Sequence, residues 1–167
     1  NIDGLGKKVV EQFWDLKLIK EPSDIFKLDY DKIKKLEGWG QLSINNLKEA
    51  INKSKSISLE KFIFSIGIRH IGQENAKILA DFFVSIRKFL KLFNNKSRKV
   101  ILLNLADLDG IGDTQIKSID NFFLKETNTR ITQELINQLN IKDYLTKKID
   151  GKFSNKKLMF TGGFQNM

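Results

Sequence analysis

Cysteine is absent from the chain, and histidine and proline occur once each. Without cysteine there is no disulfide scaffold and no cysteine-held zinc site within these residues, and a single histidine rules out a histidine metal cluster. No apolar run approaches the length of a membrane span, and no signal peptide is visible. Acidic residues are the minority charge: 20 Asp and Glu face 29 Lys and Arg, a formal net charge of +9. That sign favours nucleic acid among possible partners. What the chain does hold is enough apolar residue, 41% of 167, to bury a core of one ordinary domain or two small ones.

Glycine is used in a pattern. Asp3-Gly4-Leu5-Gly6, Glu37-Gly38-Trp39-Gly40, Arg69-His70-Ile71-Gly72 and Asp109-Gly110-Ile111-Gly112 each open directly into a helical pattern. In every copy an apolar residue stands four and seven positions after the last glycine: Val10 and Phe13, Ile44 and Leu47, Ala76 and Leu79, Ile116 and Ile119. Self-similarity at this period signals a repeated supersecondary unit, here helix, tight turn, helix. Such a turn exposes backbone N–H groups beside a helix N-terminus, where unsatisfied donors and the macrodipole both favour an anion. Glycine supplies the positive φ and the close approach. The residue between the glycines (Leu5, Trp39, Ile71, Ile111) is expected to point inward and lock the helices together. The arrangement suits a backbone phosphate of nucleic acid and reads no base.

The copies differ in ways that rank them. The first two keep both glycines and are followed by Lys7 and Gln41, so Gly4, Gly6, Lys7, Gly38, Gly40 and Gln41 are the leading phosphate-binding candidates. In the third, His70 replaces the first glycine, and Arg69, Gly72 and Gln73 complete the candidate set. The fourth carries Asp113 straight after Gly112, which opposes an anion near Gly110 and Gly112. On this reading the third and fourth copies are the more structural ones, with Arg69 offsetting the loss in the third. A bulky residue at Gly40 should therefore cost more nucleic-acid binding than one at Gly112.

Between the turns the pattern is helical. The first helix is expected to end between Leu16 and Ile19, and Pro22 marks the break. Asp29 reads as an N-cap, with Leu28 and Ile33 as a hydrophobic staple; Ser58 and Ser85 read as further N-caps. Asn94 to Ser97 reads as a loop, and a last helix is expected over about Thr132 to Leu139. Residues 76–106 hold seven basic residues, Lys77, Arg87, Lys88, Lys91, Lys96, Arg98 and Lys99, against Asp81, a candidate nucleic-acid-facing edge. After Asp150 the texture changes: Leu158-Met159-Phe160 running into Thr161-Gly162-Gly163 reads as a strand entering a glycine turn, the start of a second domain. The chain begins at Asn1, with no Met, and its first motif starts at once, which reads as a piece of a longer polypeptide.

The run Ile66-Gly67-Ile68-Arg69-His70-Ile71-Gly72 followed by Ala76, Lys77, Leu79 and Ala80 resembles the third helix-hairpin-helix repeat of bacterial NAD-dependent DNA ligases. The opening Asn1 to Gly6, the stretch Leu36 to Gly40 with Ser43 and Asn46, and the tail Gly151-Lys152-Phe153 with Leu158 to Gly162 are similar to successive parts of the same enzymes. The resemblance implies an all-α region of four tandem helix-hairpin-helix motifs over residues 1–148. Residues 149–167 would then be the incomplete start of an α/β BRCT domain, with its first β segment. It implies a parent enzyme, bacterial and cytoplasmic, that forms an enzyme–adenylate from NAD, passes AMP to the 5′-phosphate of a nick and seals it with the 3′-hydroxyl in replication and repair. The parent would use NAD, Mg and Zn, whereas this stretch would hold no cofactor and no catalytic residue. It would act as a monomer, away from membranes, gripping nicked double-stranded DNA across the minor groove, with all four hairpins touching DNA. Tandem hairpins also occur in excision nuclease subunits and branch-migration proteins, and a degenerate array can serve as a protein-interaction module. The former would lack the Gly-Ile-Arg-His-Ile-Gly run and the BRCT-like tail, and the latter would show no salt-dependent DNA binding.

Overall fold

The computed structural model describes residues 2–145. Nine helices follow one another among them: α1 (Lys7–Asp15), α2 (Tyr30–Ile33), α3 (Gln41–Ser54), α4 (Leu59–Ser65), α5 (Gln73–Phe83), α6 (Ile86–Phe89), α7 (Asn95–Leu105), α8 (Asp113–Leu124) and α9 (Glu126–Gln138). Two 3₁₀ helices, Pro22–Lys27 and Leu90–Phe93, complete the helical part. The expectation of helix throughout is corrected at one place. Ser56–Ser58 (β1) and Asn140–Lys142 (β2) pair as parallel strands, Ile57 opposite Ile141. Three-residue strands carry no readable alternation, and their partners lie too far apart in sequence for any local signal. The expected β segment and domain boundary beyond residue 145 lie outside the described residues.

Caps decide several helix boundaries. Asp29 accepts from the N–H groups of Asp31 and Lys32 and starts α2, while Leu28 and Ile33 are buried on either side of it. The hydrogen bond from the Lys32 amide leads the causes that hold the Asp29 carboxyl below its ordinary range; the Lys32 ammonium adds to it, and the Asp31 amide contributes least. Ser85 accepts from the Lys88 N–H and starts α6. Asn94 was expected inside a loop; its side chain instead accepts from the Ser97 N–H at 3.0 Å and starts α7. Ser58 stands at the N-cap position of α4, yet its buried Oγ has no hydrogen-bond partner there. The last helix begins at Glu126, six residues before the expected start. Thr132 lies within it, buried, its hydroxyl donating to the Asn128 carbonyl at 2.6 Å.

The apolar residues gather into two cores. Phe13, Ile19, Leu28, Ile33, Ile44, Leu47 and Ile51 form the first, drawn from α1 to α3. The second runs from Leu59 to Phe123 and is built around phenylalanine. There the Phe89 ring lies 6.2, 5.3 and 5.7 Å from those of Phe62, Phe83 and Phe123, edge to face in each case. Each fully buried side chain of this size contributes roughly 1.5–3 kcal/mol, and edge-to-face contacts add to that.

A polar junction joins the two parts. Arg130 on α9 reaches Glu21 at 2.7 Å and Glu134 at 2.8 Å; the Ser23 hydroxyl donates to Glu134 at 2.9 Å, and the Gln138 amide donates to the Ser23 carbonyl at 3.2 Å. The parallel strands add a second tie, with the Asn140 N–H donating to the Lys55 carbonyl. Near the end of the described residues the Tyr144 N–H donates at 2.7 Å to the carbonyl of Val84, a β-branched residue at φ 61° that closes α5. The Ser23 hydroxyl first, and Arg130 next, hold the Glu134 carboxyl below its ordinary value of 4.5. A lowered carboxylate pKa contributes stability above the unfolded-state value and loses it as pH falls through the folded one. The junction should therefore be whole at neutral pH and loosen only below about pH 4.5. A Glu134→Gln variant should lack that transition, which acid titration of peptic susceptibility between the halves would reveal.

Arg98, expected on a nucleic-acid-facing edge, is instead only 2% exposed. Its guanidinium donates to Asp120 at 2.8 Å, to the Leu92 carbonyl at 3.0 Å and to the Asn95 side chain at 3.1 Å. A planar fork of five donors ties α7, the preceding 3₁₀ helix and α8 together, which a lysine cannot do. Arg98→Lys should cost about 2–4 kcal/mol because buried acceptors lose their partners. Urea denaturation measures it; a loss under about 0.5 kcal/mol, the range of ordinary surface changes, would show that the fork is dispensable.

Candidate nucleic-acid interface

The four turns share one backbone. The N–H of the residue between the two key positions closes a four-residue turn: Leu5 to the Ile2 carbonyl at 3.1 Å, Trp39 to Leu36 at 3.2 Å, Ile71 to Ile68 at 3.1 Å and Ile111 to Leu108 at 3.1 Å. The residue just before it has positive φ each time: Gly4 78°, Gly38 82°, His70 62°, Gly110 88°. The residue just after it is the helix N-cap, and its carbonyl accepts the first helical bond, from Val10, Ile44, Ala76 and Ile116. The inner apolar residues are buried at Ile71 and Ile111 and half-buried at Leu5 and Trp39, as their inward role requires. The Trp39 ring packs 5.3 Å from that of Phe13.

Two sequence expectations change on this geometry. His70 does not depart from the pattern in its backbone: it occupies the left-handed position itself, which histidine tolerates better than most side chains. The second glycines do not supply positive φ. Gly6, Gly40, Gly72 and Gly112 are extended, at φ −77°, −86°, −82° and −104°, a conformation open to any residue. What they leave is room, since a Cβ on Gly6 or Gly40 would meet nothing within 4 Å on the protein side. The first glycine makes the turn, and the second keeps the surface beside the helix amides bare.

The first three N-termini are uncapped by side chains. Lys7 is exposed and reaches Glu11 only at 3.8 Å, and the Gln41 side chain donates outward to Asn45. Arg69, His70, Gly72 and Gln73 are all exposed around the third turn. Behind Gln73, Lys77 pairs with Glu74 at 2.7 Å, which raises the Lys77 pKa. The fourth turn is closed. The Gln115 side chain accepts from the Gly112 N–H at 3.1 Å, and Asp113 occupies the first helical position. This turn is also packed against its neighbour: Asn75 donates to the Gly110 carbonyl at 2.7 Å, and a Cβ on Gly110 would lie 2.7 Å from Ile78 Cδ1. Sequence reading found Asp113 but missed Gln115; a Gly-x-x-Gln spacing is its only signal.

The turns are brought together in pairs. Asp3, Gly4, Glu37, Gly38, Ser43 and Asn46 line one open cleft of about 520 Å³, so the first and second turns face each other across it. The Asn75 and Ile78 contacts join the third turn's helix to the fourth turn. Among the described residues no helix is long and apolar enough to cross a membrane.

Comparison with known proteins bears on the second half of the described residues and on the chain as a whole. Residues 61–132, which hold the third and fourth turns, match the helix-hairpin-helix motif family. The chain is 51% identical over 97% of its length to the DNA ligase of Pelagibacter ubique. It is 38% identical over its whole length to that of Rickettsia typhi, and 40% identical over 97% to that of Neorickettsia sennetsu. It spans 23%, 25% and 24% of those proteins, respectively.

The glycines should separate by variant. Gly110→Ala combines a left-handed alanine with a clash on Ile78 and should cost about 2–3 kcal/mol. Gly38→Ala carries only the conformational cost, about 1 kcal/mol, and Gly40→Ala about half of that. Urea midpoints of the three variants give the order; Gly40→Ala as damaging as Gly110→Ala would contradict it.

Proposed function

We propose that this chain, similar along its length to part of bacterial DNA ligases, is the stretch with which an NAD-dependent member of that family grips nicked duplex DNA. The four turns are read as four helix-hairpin-helix repeats working in two pairs. Each open turn offers the N–H groups at a helix N-terminus to one phosphate of the DNA backbone, from the minor-groove side. Gly4, Gly6 and Lys7 serve the first, Gly38, Gly40 and Gln41 the second, and Arg69, His70, Gly72 and Gln73 the third. Gly110 and Gly112 build the fourth, where Gln115 Oε1 already holds the Gly112 N–H that a phosphate oxygen would use.

The observation that carries this reading is the uncapped N-terminus beside a bare glycine, repeated at Gly6, Gly40 and Gly72 with one shared backbone. A turn needed only for connection has no reason to leave those donors unsatisfied. Contacts of this kind position a duplex without reading its sequence, as an enzyme acting on nicks anywhere in a chromosome requires. In the parent, adenylate transfer and sealing belong to other parts, which would hold NAD, Mg and Zn. This stretch is the grip, a monomer acting in the cytoplasm.

With Lys7 and Arg69 each neutralising a phosphate and further lysines nearby, log affinity should fall against log salt with a slope of at least about two. Fluorescence anisotropy of a labelled nicked duplex, titrated at several salt concentrations, measures it. Binding that ignores salt, or that prefers one sequence strongly, would overturn the proposal. Gly40→Val, which has room within the fold, should remove about one unit of that slope, while Gly112→Val should remove little. Equal losses at the two positions would mean that Gln115 yields to DNA and that the fourth turn binds like the others.

A further inference from the structure

A second groove opens beside the third turn, of about 470 Å³, and the turns do not account for it. Gly67 and Arg69 line it together with Ser118 and Asn121 of α8 and Lys125, the extended residue between α8 and α9. Ser118 and Asn121, three residues apart, share one face of α8. No carboxylate lines the groove. The nearest acid on α8, Asp120, is committed to Arg98 at 2.8 Å.

The polar groups sort into used and unused. Ser118 donates to the Thr114 carbonyl at 2.8 Å, and Asn128, at the end of the groove, donates to the Phe122 carbonyl at 3.0 Å. Arg69, Asn121 and Lys125 are exposed, and their side chains have no hydrogen-bond or ion-pair partner among the described residues. Three unspent donors, two of them cationic, thus line one acid-free groove. Two cations and an amide on the walls of one such groove are complementary to a phosphodiester, with the guanidinium available for two parallel bonds. Arg69 belongs to both places: it is the second residue of the third turn and a wall of the groove.

We propose that this groove seats a further backbone phosphate of the bound DNA, held by Arg69, Asn121 and Lys125. The inference rests on the DNA reading above. It gives the far end of α8 a role that the fourth turn, with its Gly112 N–H taken by Gln115, does not: Asn121 and the Lys125 that follows the helix bind where its N-terminus is closed. The grip then extends past the turns along the side of the second core.

The test compares two double variants of the 167-residue chain, each checked for wild-type helicity by circular dichroism. Asn121→Ala/Lys125→Gln, which spares the third turn's Arg69, should lower the salt slope for the nicked duplex by about one unit and weaken binding alike on unrelated sequences. Lys17→Gln/Lys20→Gln, which removes at least as much charge from exposed lysines beyond the end of α1, should leave the slope unchanged. If both pairs lower it equally, the attraction is diffuse and the seat is refuted. If the groove variant binds like wild type while the wild type retains its salt dependence, the groove proposal fails and the DNA reading stands. If the wild type itself shows no salt-dependent binding, both fail together.

Discussion

Everything in this fold that faces a ligand depends on one backbone constraint, the turn closed by an N–H to carbonyl bond across four residues with positive φ at the third. It reverses the chain in the shortest span available and delivers it at once into a helix, with the N-cap still extended. The helix amides are then presented at the edge of the turn rather than buried beneath it. Left-handed backbone is costly for most residues, which is why glycine recurs at Gly4, Gly38 and Gly110 and why His70 is informative. The third repeat pays a conformational cost that the others avoid, yet keeps the geometry, so the geometry is what the surrounding packing demands.

The same backbone does not give four equal sites. Gly6, Gly40 and Gly72 leave their N-termini bare, whereas at Gly112 a glutamine side chain folds back onto the N–H and an aspartate follows. A carbonyl oxygen of glutamine and an oxygen of phosphate make the same demand on that donor, so one excludes the other. The fourth turn is committed inward as well, through Asn75 and Ile78. It is packed as the foundation on which the third turn's helix is held.

The two cores and their junction obey different physics. Phenylalanine rings crowded around Phe89 make the second core stiff and water-free. The junction through Glu21, Ser23, Arg130 and Glu134 is hydrogen-bonded, partly exposed and charged. Exposed ion pairs contribute little stability each, so the junction orients the halves more than it binds them.

Much of this was legible beforehand. Apolar residues four and seven positions after each glycine fixed which helix faces became core, and Phe13, Leu47, Leu79 and Ile119 are all buried there. Asp29 and Ser85 announced their helices because a cap is a local bond between neighbours. The repeat, the basic charge and the likeness to DNA ligases were equally local in kind, since each is a pattern along the chain. Other features were decided only when distant segments met. Arg98 looked like one more surface cation until Asp120 and the Leu92 carbonyl enclosed it. The strands Ser56–Ser58 and Asn140–Lys142 exist only as each other's partner. Which glycine makes a turn and which keeps it bare depended on φ, and the groove beside Arg69 depended on α8 arriving across from it. Caps and periodicity are set by residues within one or two turns of helix, so sequence determines them; burial of a charge and convergence of donors are set by neighbours far along the chain, so only the folded structure can.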